Sequence, residues 1–161
     1  MILIAIGSNL RSDAFGDPMK NCLTAIEFLE KKFEIEKVSN FYETEPIPKS
    51  NQAMYVNGVV SIKTNLLPEN ILDELMIIEK IFKRVRNFKN ESRVIDLDLL
   101  CYDDMIIKKK KLQLPHPRMH LRRFVMQPVC DINKEWEHPL LKEKAKNLAK
   151  KLANQKIYNI S

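Results

Sequence analysis

Hydrophobic and polar positions recur along this chain with two alternating periods, and the order of those periods outlines a fold. Ile2–Ile6 is an unbroken apolar run ending at Gly7, the pattern of a central strand buried on both faces. Cys22, Leu23, Ile26, Leu29 and Phe33 then recur at helical spacing, with Glu27, Glu30, Lys31 and Lys32 opposite, which predicts a helix from about Pro18 to Lys32. Phe33–Glu43 reads as one strand. Met54–Lys63 reads as another, with Val56, Gly58, Val60 and Ile62 alternating against Tyr55, Asn57, Val59 and Ser61. Pro68 and Glu69 open a second helix to about Lys83, whose apolar stripe is Ile71, Leu72, Leu75, Ile78 and Phe82. Val94–Tyr102 is the last strong strand.

Strand, helix, strand, strand, helix, strand is the βαββαβ order of a ferredoxin-like α+β sandwich, an antiparallel sheet with helices packed on one face. Beyond Tyr102, Met105–Ile107 and Leu112–Leu114 suit a hairpin around the Lys108–Lys111 run. A helical stretch near Arg122–Val125 and a C-terminal helix over about Leu140–Ala153 complete the expectation. With 161 residues, the chain suits one domain spanning 1–161. Asp13–Asp17, Pro46–Gln52 and Arg86–Ser92 are its long polar connections.

Composition narrows the chemistry. Only 3 glycines occur, too few for a glycine-rich phosphate loop or a dinucleotide fingerprint. The formal net charge is +6, and residues 84–123 hold eleven of the 27 Lys+Arg but five of the 21 Asp+Glu, so the whole excess lies there. The three cysteines are widely spaced and form no C-x-x-C pair, which suits a reduced, cytoplasmic protein without a zinc site. No apolar run approaches the ~18–20 residues of a membrane helix.

The most informative stretch is Arg93-Val-Ile-Asp96-Leu-Asp98. In a strand, residues i and i+2 share a face, so the two carboxylates stand about 6–7 Å apart at their Cα atoms. Such a pair repels itself unless a cation lies between, and magnesium bridging carboxylates and phosphate oxygens is the usual instance. Arg84, Arg86 and Arg93 precede the pair and His116, Arg118, Arg122 and Arg123 follow; without a glycine cradle, guanidinium forks must grip the phosphates. Tyr55 and Asn57 also share a strand face, a stacking ring beside a bidentate amide, and Phe124 could supply an opposing ring. Each of these residues taken alone is equally an ordinary surface charge or core side chain.

Ile6-Gly7-Ser8-Asn9-Leu10, Phe41-Tyr42-Glu43-Thr44 with Pro46, Gln52 before Tyr55-x-Asn57, Ile78-Glu79, Arg84-x-Arg86, Arg93-x-x-Asp96-x-Asp98, Pro115-His116-Pro117-Arg118 and Arg122-x-Phe124-Val125 follow one another in that order. Over about residues 2–130 this succession resembles the 6-hydroxymethyl-7,8-dihydropterin pyrophosphokinase family. The resemblance implies transfer of pyrophosphate from ATP to a reduced pterin, leaving AMP. It implies two Mg2+ ions on Asp96 and Asp98, with Arg84 and Arg93 beside them in catalysis. It further implies an ATP site of Glu79, Arg84, Arg86, Arg93, Leu99, Lys111, His116 and Arg122, and a pterin site of Thr44, Pro46, Tyr55, Asn57, Asp96 and Phe124. A monomer without nucleic-acid or membrane partners is implied as well.

The chain departs from the family pattern at several loop positions. Lys83 stands where a glycine usually precedes the first loop arginine, and the loop to Arg93 is one residue short. Asn90 falls nearest the family's loop tryptophan; the only tryptophan here is Trp136. Pro48 replaces a glycine, and Lys111 replaces an arginine, keeping its charge but losing the planar fork. Two other readings compete: a family member that binds ATP or pterin without turnover, and a ferredoxin-like RNA-binding module, against which Asp96 and Asp98 argue by repelling phosphate.

Overall fold

A computed structural model of the chain describes residues 1–82 and 93–161. Strand β1 (Ile2–Ser8) lies between β4 (Tyr55–Lys63) and β5 (Asp96–Tyr102), antiparallel to both. The sheet runs β5-β1-β4-β3-β8, with β2 (Glu34–Val38) also pairing β4 beside β3 (Tyr42–Thr44), and β8 (Ile157–Asn159) outermost. A two-stranded ribbon, β6 (Ile107–Lys108) and β7 (Gln113–Leu114), takes the place expected for the hairpin.

Helix α1 (Pro18–Glu30) starts at Asp17, whose carboxylate accepts the Lys20 N–H at 3.0 Å, with Pro18 in the first turn. Helix α2 (Pro68–Ile81) opens on Pro68 and Glu69 without a side-chain cap. Both helices cover one face, where Cys22, Ile26, Leu29, Ile71, Leu75 and Ile78 pack against Ile4, Ile6, Val60, Ile62, Leu97 and Leu99. The opposite face carries Leu3, Val59, Leu100 and Cys101, covered by α3 (Arg123–Asn133) and α4 (Ala145–Lys151). β1 is thus buried on both sides, as its unbroken apolar run predicts. The expected one-sided helix layer holds for α1 and α2, while α3 and α4 add a second layer over part of the other face.

Several boundaries differ from the sequence pattern for identifiable reasons. The single strand expected over Phe33–Glu43 is two, because residues 39–41 stand opposite only Gly58 and Val59 of β4. The side chain of Ser39 fills the break: its Oγ accepts the Val59 N–H at 2.9 Å, while its own N–H reaches the Val59 carbonyl at 2.9 Å. α3 runs well past the expected Arg122–Val125 turn. Pro128 lies inside it, yet Val125, Met126, Val129 and Ile132 bury enough apolar surface to carry the helix through. α4 is shorter than expected, because His138 Nδ1 accepts the N–H groups of Leu140 and Leu141 and holds a turn there. β8, three mostly exposed residues, has no apolar signature.

Burial raises the Cys22 and Cys101 thiols to about 12 and Cys130 to about 11, so none supplies a thiolate near neutral pH. Among the described residues no helix is long and apolar enough to cross a membrane.

The close approach at the strand break generates a test. A methyl group on Gly58 would lie 2.6 Å from Phe41 Cε1 and 2.8 Å from Cδ1. Gly58→Ala is expected to lower stability by about 1–3 kcal/mol, measured as a drop in urea midpoint at unchanged slope. A midpoint at or above the wild-type value would refute this packing.

Candidate active site

The part of the sheet face that α3 leaves open forms a cavity of about 460 Å³. Its floor follows from strand register. Asp96 of β5 pairs with Gly7 of β1, and Gly7 pairs with Asn57 of β4, so these three form a row across the sheet. In the next row on that face Asp98 pairs with Ala5. The centre of the floor is therefore made by two residues with little or no side chain, flanked by carboxylates on one side and a carboxamide on the other. A Cβ on Gly7 would sit 3.0 Å from Asn57 Oδ1, so the glycine makes room for that amide.

One end of the cavity is apolar and hydrogen-bonding. Tyr55, Asn57, Thr44, Pro46 and Phe124 line it. Asn57 Nδ2 donates to Thr44 Oγ1 at 2.8 Å, both residues being buried, and this fixes which way the amide points. The Tyr55 hydroxyl donates to Gln52 Oε1 at 3.1 Å and ties the ring to the 46–52 loop.

The other end is ionic. Asp96, Asp98, Arg93, His116, Arg118 and Arg122 all line it. Arg93 pairs with Asp96 through a guanidinium–carboxylate contact, and its backbone N–H donates to Asn9 Oδ1 at 2.8 Å. Asn9 also donates to the Ala53 carbonyl at 3.2 Å, linking the two ends of the site through one buried amide. The Arg122 guanidinium lies 5.5 Å from the Phe124 ring centroid. Burial lowers its pKa first, the charge of Arg118 next, with Asp98 and Asp96 opposing. Burial likewise lowers His116 to about 4, helped by Arg122 and Arg118. His116 Nδ1 accepts the Arg118 N–H at 3.2 Å, which leaves the ring proton on Nε2. Crowded cations and a neutral imidazole donor make a site whose electrostatic strain an anion would relieve.

Not every expected residue comes to this cavity. Glu79 reaches from α2 to accept the Leu97 N–H at 2.9 Å and is buried below the sheet edge, so its place is beside β5 and not at the cavity wall. Leu99 faces the α1–α2 core, because the strand alternation that presents Asp98 and Leu100 turns it away. Lys111 lies by Glu69, Leu72 and Asp73 near the start of α2. Arg84, Arg86, the loop 86–92 and Asn90 lie outside the described residues. Arg118, expected among the basic residues around the carboxylate pair, lines the cavity, and Ala5, Gly7 and Asn9 shape the site without having been expected there. Gly7 and Asn9 fall in the Ile6–Leu10 string, which is the signal that could have found them.

Two carboxylates facing three guanidiniums, on an antiparallel βαββαβ sheet, define an enzyme that handles a phosphate chain and not a single-strand binder, since the acidic pair would repel a nucleic-acid backbone. The chain belongs to the 7,8-dihydro-6-hydroxymethylpterin-pyrophosphokinase (HPPK) family, whose profile matches residues 3–134. It is 37% identical over 145 residues to the Aquifex aeolicus 2-amino-4-hydroxy-6-hydroxymethyldihydropteridine pyrophosphokinase, covering 90% of this chain and 88% of that one. The Haemophilus influenzae enzyme of the same name is 39% identical over 129 residues, 80% of this chain and 79% of that one. The chain spans only 21% of the Dictyostelium discoideum folic acid synthesis protein FOL1, to which it is 37% identical over 88% of its own length. A solved structure of Plasmodium falciparum HPPK-DHPS shares the fold at a TM-score of 0.74 and 16% identity, covering 95% of this chain and 42% of that one.

The His116 environment makes a pH prediction. A folded-state pKa below the ordinary 6.5 means that the unfolded chain takes up the proton first, so this group's contribution to stability is lost as pH falls from about 6.5 towards 4. In the free protein the His116 ring resonances should stay those of a neutral imidazole from pH 8 to about pH 5, read by NMR. A midpoint near the ordinary histidine value would refute the buried, arginine-flanked placement.

Proposed function

We propose that this chain transfers the pyrophosphoryl group of ATP to the hydroxyl of 6-hydroxymethyl-7,8-dihydropterin, in tetrahydrofolate biosynthesis. The observation that carries the reading is one cavity with a ring-and-amide end and a carboxylate–arginine end, spanned by the Asp96–Gly7–Asn57 row. In this reading Tyr55 and Phe124 take the two faces of the pterin. Asn57, oriented by Thr44, reads its donor–acceptor edge, and Pro46 closes the side. Arg93, Arg122 and the Nε2–H of His116 hold phosphate oxygens, and Arg118 adds positive charge to that wall.

The reaction needs alignment and charge balance more than covalent catalysis. The pterin oxygen bonds to the β-phosphorus, the bond from that phosphorus to the α,β-bridging oxygen breaks, AMP departs with the electron pair, and the hydroxyl proton passes to solvent. The row across β1 sets the distance between pterin edge and carboxylates, so the hydroxymethyl arm points at the ionic end.

The donor set fits magnesium. Asp96 and Asp98 offer hard oxygens alone, and among the described residues no group of three or more His, Cys, Asp or Glu side chains is placed to hold a metal. Mg2+ takes one or two carboxylates plus water and phosphate oxygens, whereas zinc and calcium sites draw more protein ligands. Asp96 and Asp98 would hold it, and when bound it neutralises phosphate charge and lowers the pKa of the attacking hydroxyl. Arg93, already paired with Asp96, offsets part of the carboxylate charge.

AMP formation from ATP, Mg2+ and the hydroxymethyl-dihydropterin, followed by a coupled assay, tests the reading. The wild type should turn over, and Asp98→Ala should lose at least ~100-fold in kcat with its melting temperature retained, since the lost charge stabilisation amounts to several kcal/mol. Near-normal Mg2+-dependent AMP release by that variant would sink the metal assignment. Pterin binding without AMP would favour a binding protein over an enzyme.

A further inference from the structure

Beyond residue 134, where the family match ends, the chain comes back against residues 121–123 and β3, which carry parts of the two cavity walls. Gln155 does this with both ends of one amide: its Oε1 accepts the Arg123 N–H at 2.9 Å and its Nε2 donates to the Leu121 carbonyl at 2.9 Å. These two bonds bracket Arg122 and lie one residue short of Phe124. Arg123 closes the loop from the other side, its Nη1 donating to the carbonyls of Ala153 at 3.0 Å and Gln155 at 2.9 Å.

Immediately afterwards the same segment becomes β8 and pairs with β3. Ile157 lies opposite Thr44, Tyr158 opposite Glu43 and Asn159 opposite Tyr42. The last residues continue the pairing, with the Ile160 N–H donating to the Phe41 carbonyl at 3.0 Å and the Phe41 N–H to Ser161 Oγ at 2.6 Å. Thr44 is the residue that orients Asn57. Residues 153–161 thus hold Arg122 and Phe124 on one wall and Thr44 on the other, although the segment itself does not line the cavity.

We propose that this C-terminal strap is a positioning element for substrate binding, with Gln155 as its positioning residue; the inference rests on the pterin and phosphate roles proposed above. The physical case is local. Arg122 and Phe124 begin α3, whose N-terminus has no side-chain cap of its own, so the Arg123 N–H would lack a protein partner without Gln155. The strap fixes the backbone at 121 and 123, and with it the direction of the two side chains between and beside them.

Two full-length variants test it. Gln155→Met keeps the length and packing and removes both hydrogen bonds; Gln155→Glu keeps the acceptor for Arg123 and loses the donor to Leu121. Gln155→Met should raise the KM for the pterin about tenfold, the equivalent of ~1.4 kcal/mol, with kcat within about twofold of wild type. Gln155→Glu should fall between the two. A merely structural glutamine would lower the melting temperature and the active fraction, and so kcat, at constant KM; that result overturns the proposal.

Pterin fluorescence in direct binding reads the same walls without turnover. If the wild type binds pterin but forms no AMP, the reaction proposed above fails while the strap still predicts about tenfold weaker binding by Gln155→Met. Equal affinities of wild type and Gln155→Met overturn the strap in either case, and no pterin binding by the wild type overturns both.

Discussion

Gly7 is paired on both sides, to Asp96 on one neighbouring strand and to Asn57 on the other, and the site depends on that register. A slip of one residue in either pairing would turn the partner strand's side chains over. Asp96 and Asp98 would then meet the α1–α2 core and Leu97 and Leu99 would face the cavity. The apolar content of β1 prevents this, because Ile4 and Ile6 are buried on one face and Leu3 on the other. Hydrophobic burial thereby sets the distance between a carboxylate pair and a carboxamide that never touch. The absence of a side chain at Gly7 keeps the space between them open.

The basic wall of the cavity is built without a glycine-rich loop. A chain with 3 glycines cannot wrap backbone N–H groups around an anion as a glycine-rich loop does. That wall is made of side chains from three places: Arg93 just before β5, His116 and Arg118 after the β6–β7 ribbon, and Arg122 at the start of α3. Side chains need anchoring that backbone does not, and three of the four show it. Asn9 holds the backbone of Arg93, the Arg118 N–H orients His116, and Gln155 brackets Arg122. Burial and the neighbouring guanidiniums lower the pKa of both Arg122 and His116 on this wall.

Much of the fold was legible because its signals are local. The apolar run of β1, the helical stripes of α1 and α2 and the two-residue alternation of β5 each lie within a single window of sequence. Asp96 and Asp98 share the cavity by the same alternation. What escaped depends on partners distant in the chain. The break between β2 and β3 comes from one surplus residue opposite Gly58 and Val59, α3 outlasts Pro128 because of the sheet beneath it, and β8 is a strand only because β3 offers an edge. Within the site, the resemblance brought in Leu99, Glu79 and Lys111, which the geometry sets elsewhere. For Leu99 the alternation of β5 already assigns it to the opposite face, so the local rule and the resemblance pointed in different directions.

Glu79 has a different part. Among the described residues β5 is an edge strand, paired with β1 alone, and an edge N–H facing a packed helix has no water to bond. Leaving it unpaired would cost about 1–3 kcal/mol. The Leu97 N–H falls between the two aspartates, and Glu79 Oε1 accepts it at 2.9 Å from α2. A buried carboxyl group is itself expensive to desolvate. Its presence is understandable if the bond to Leu97 does for β5 what a neighbouring strand would do, holding the carboxylate pair in line at the edge where a sheet is otherwise freest to fray. The acidic residue outside the cavity then serves the acidic residues inside it through the backbone they share.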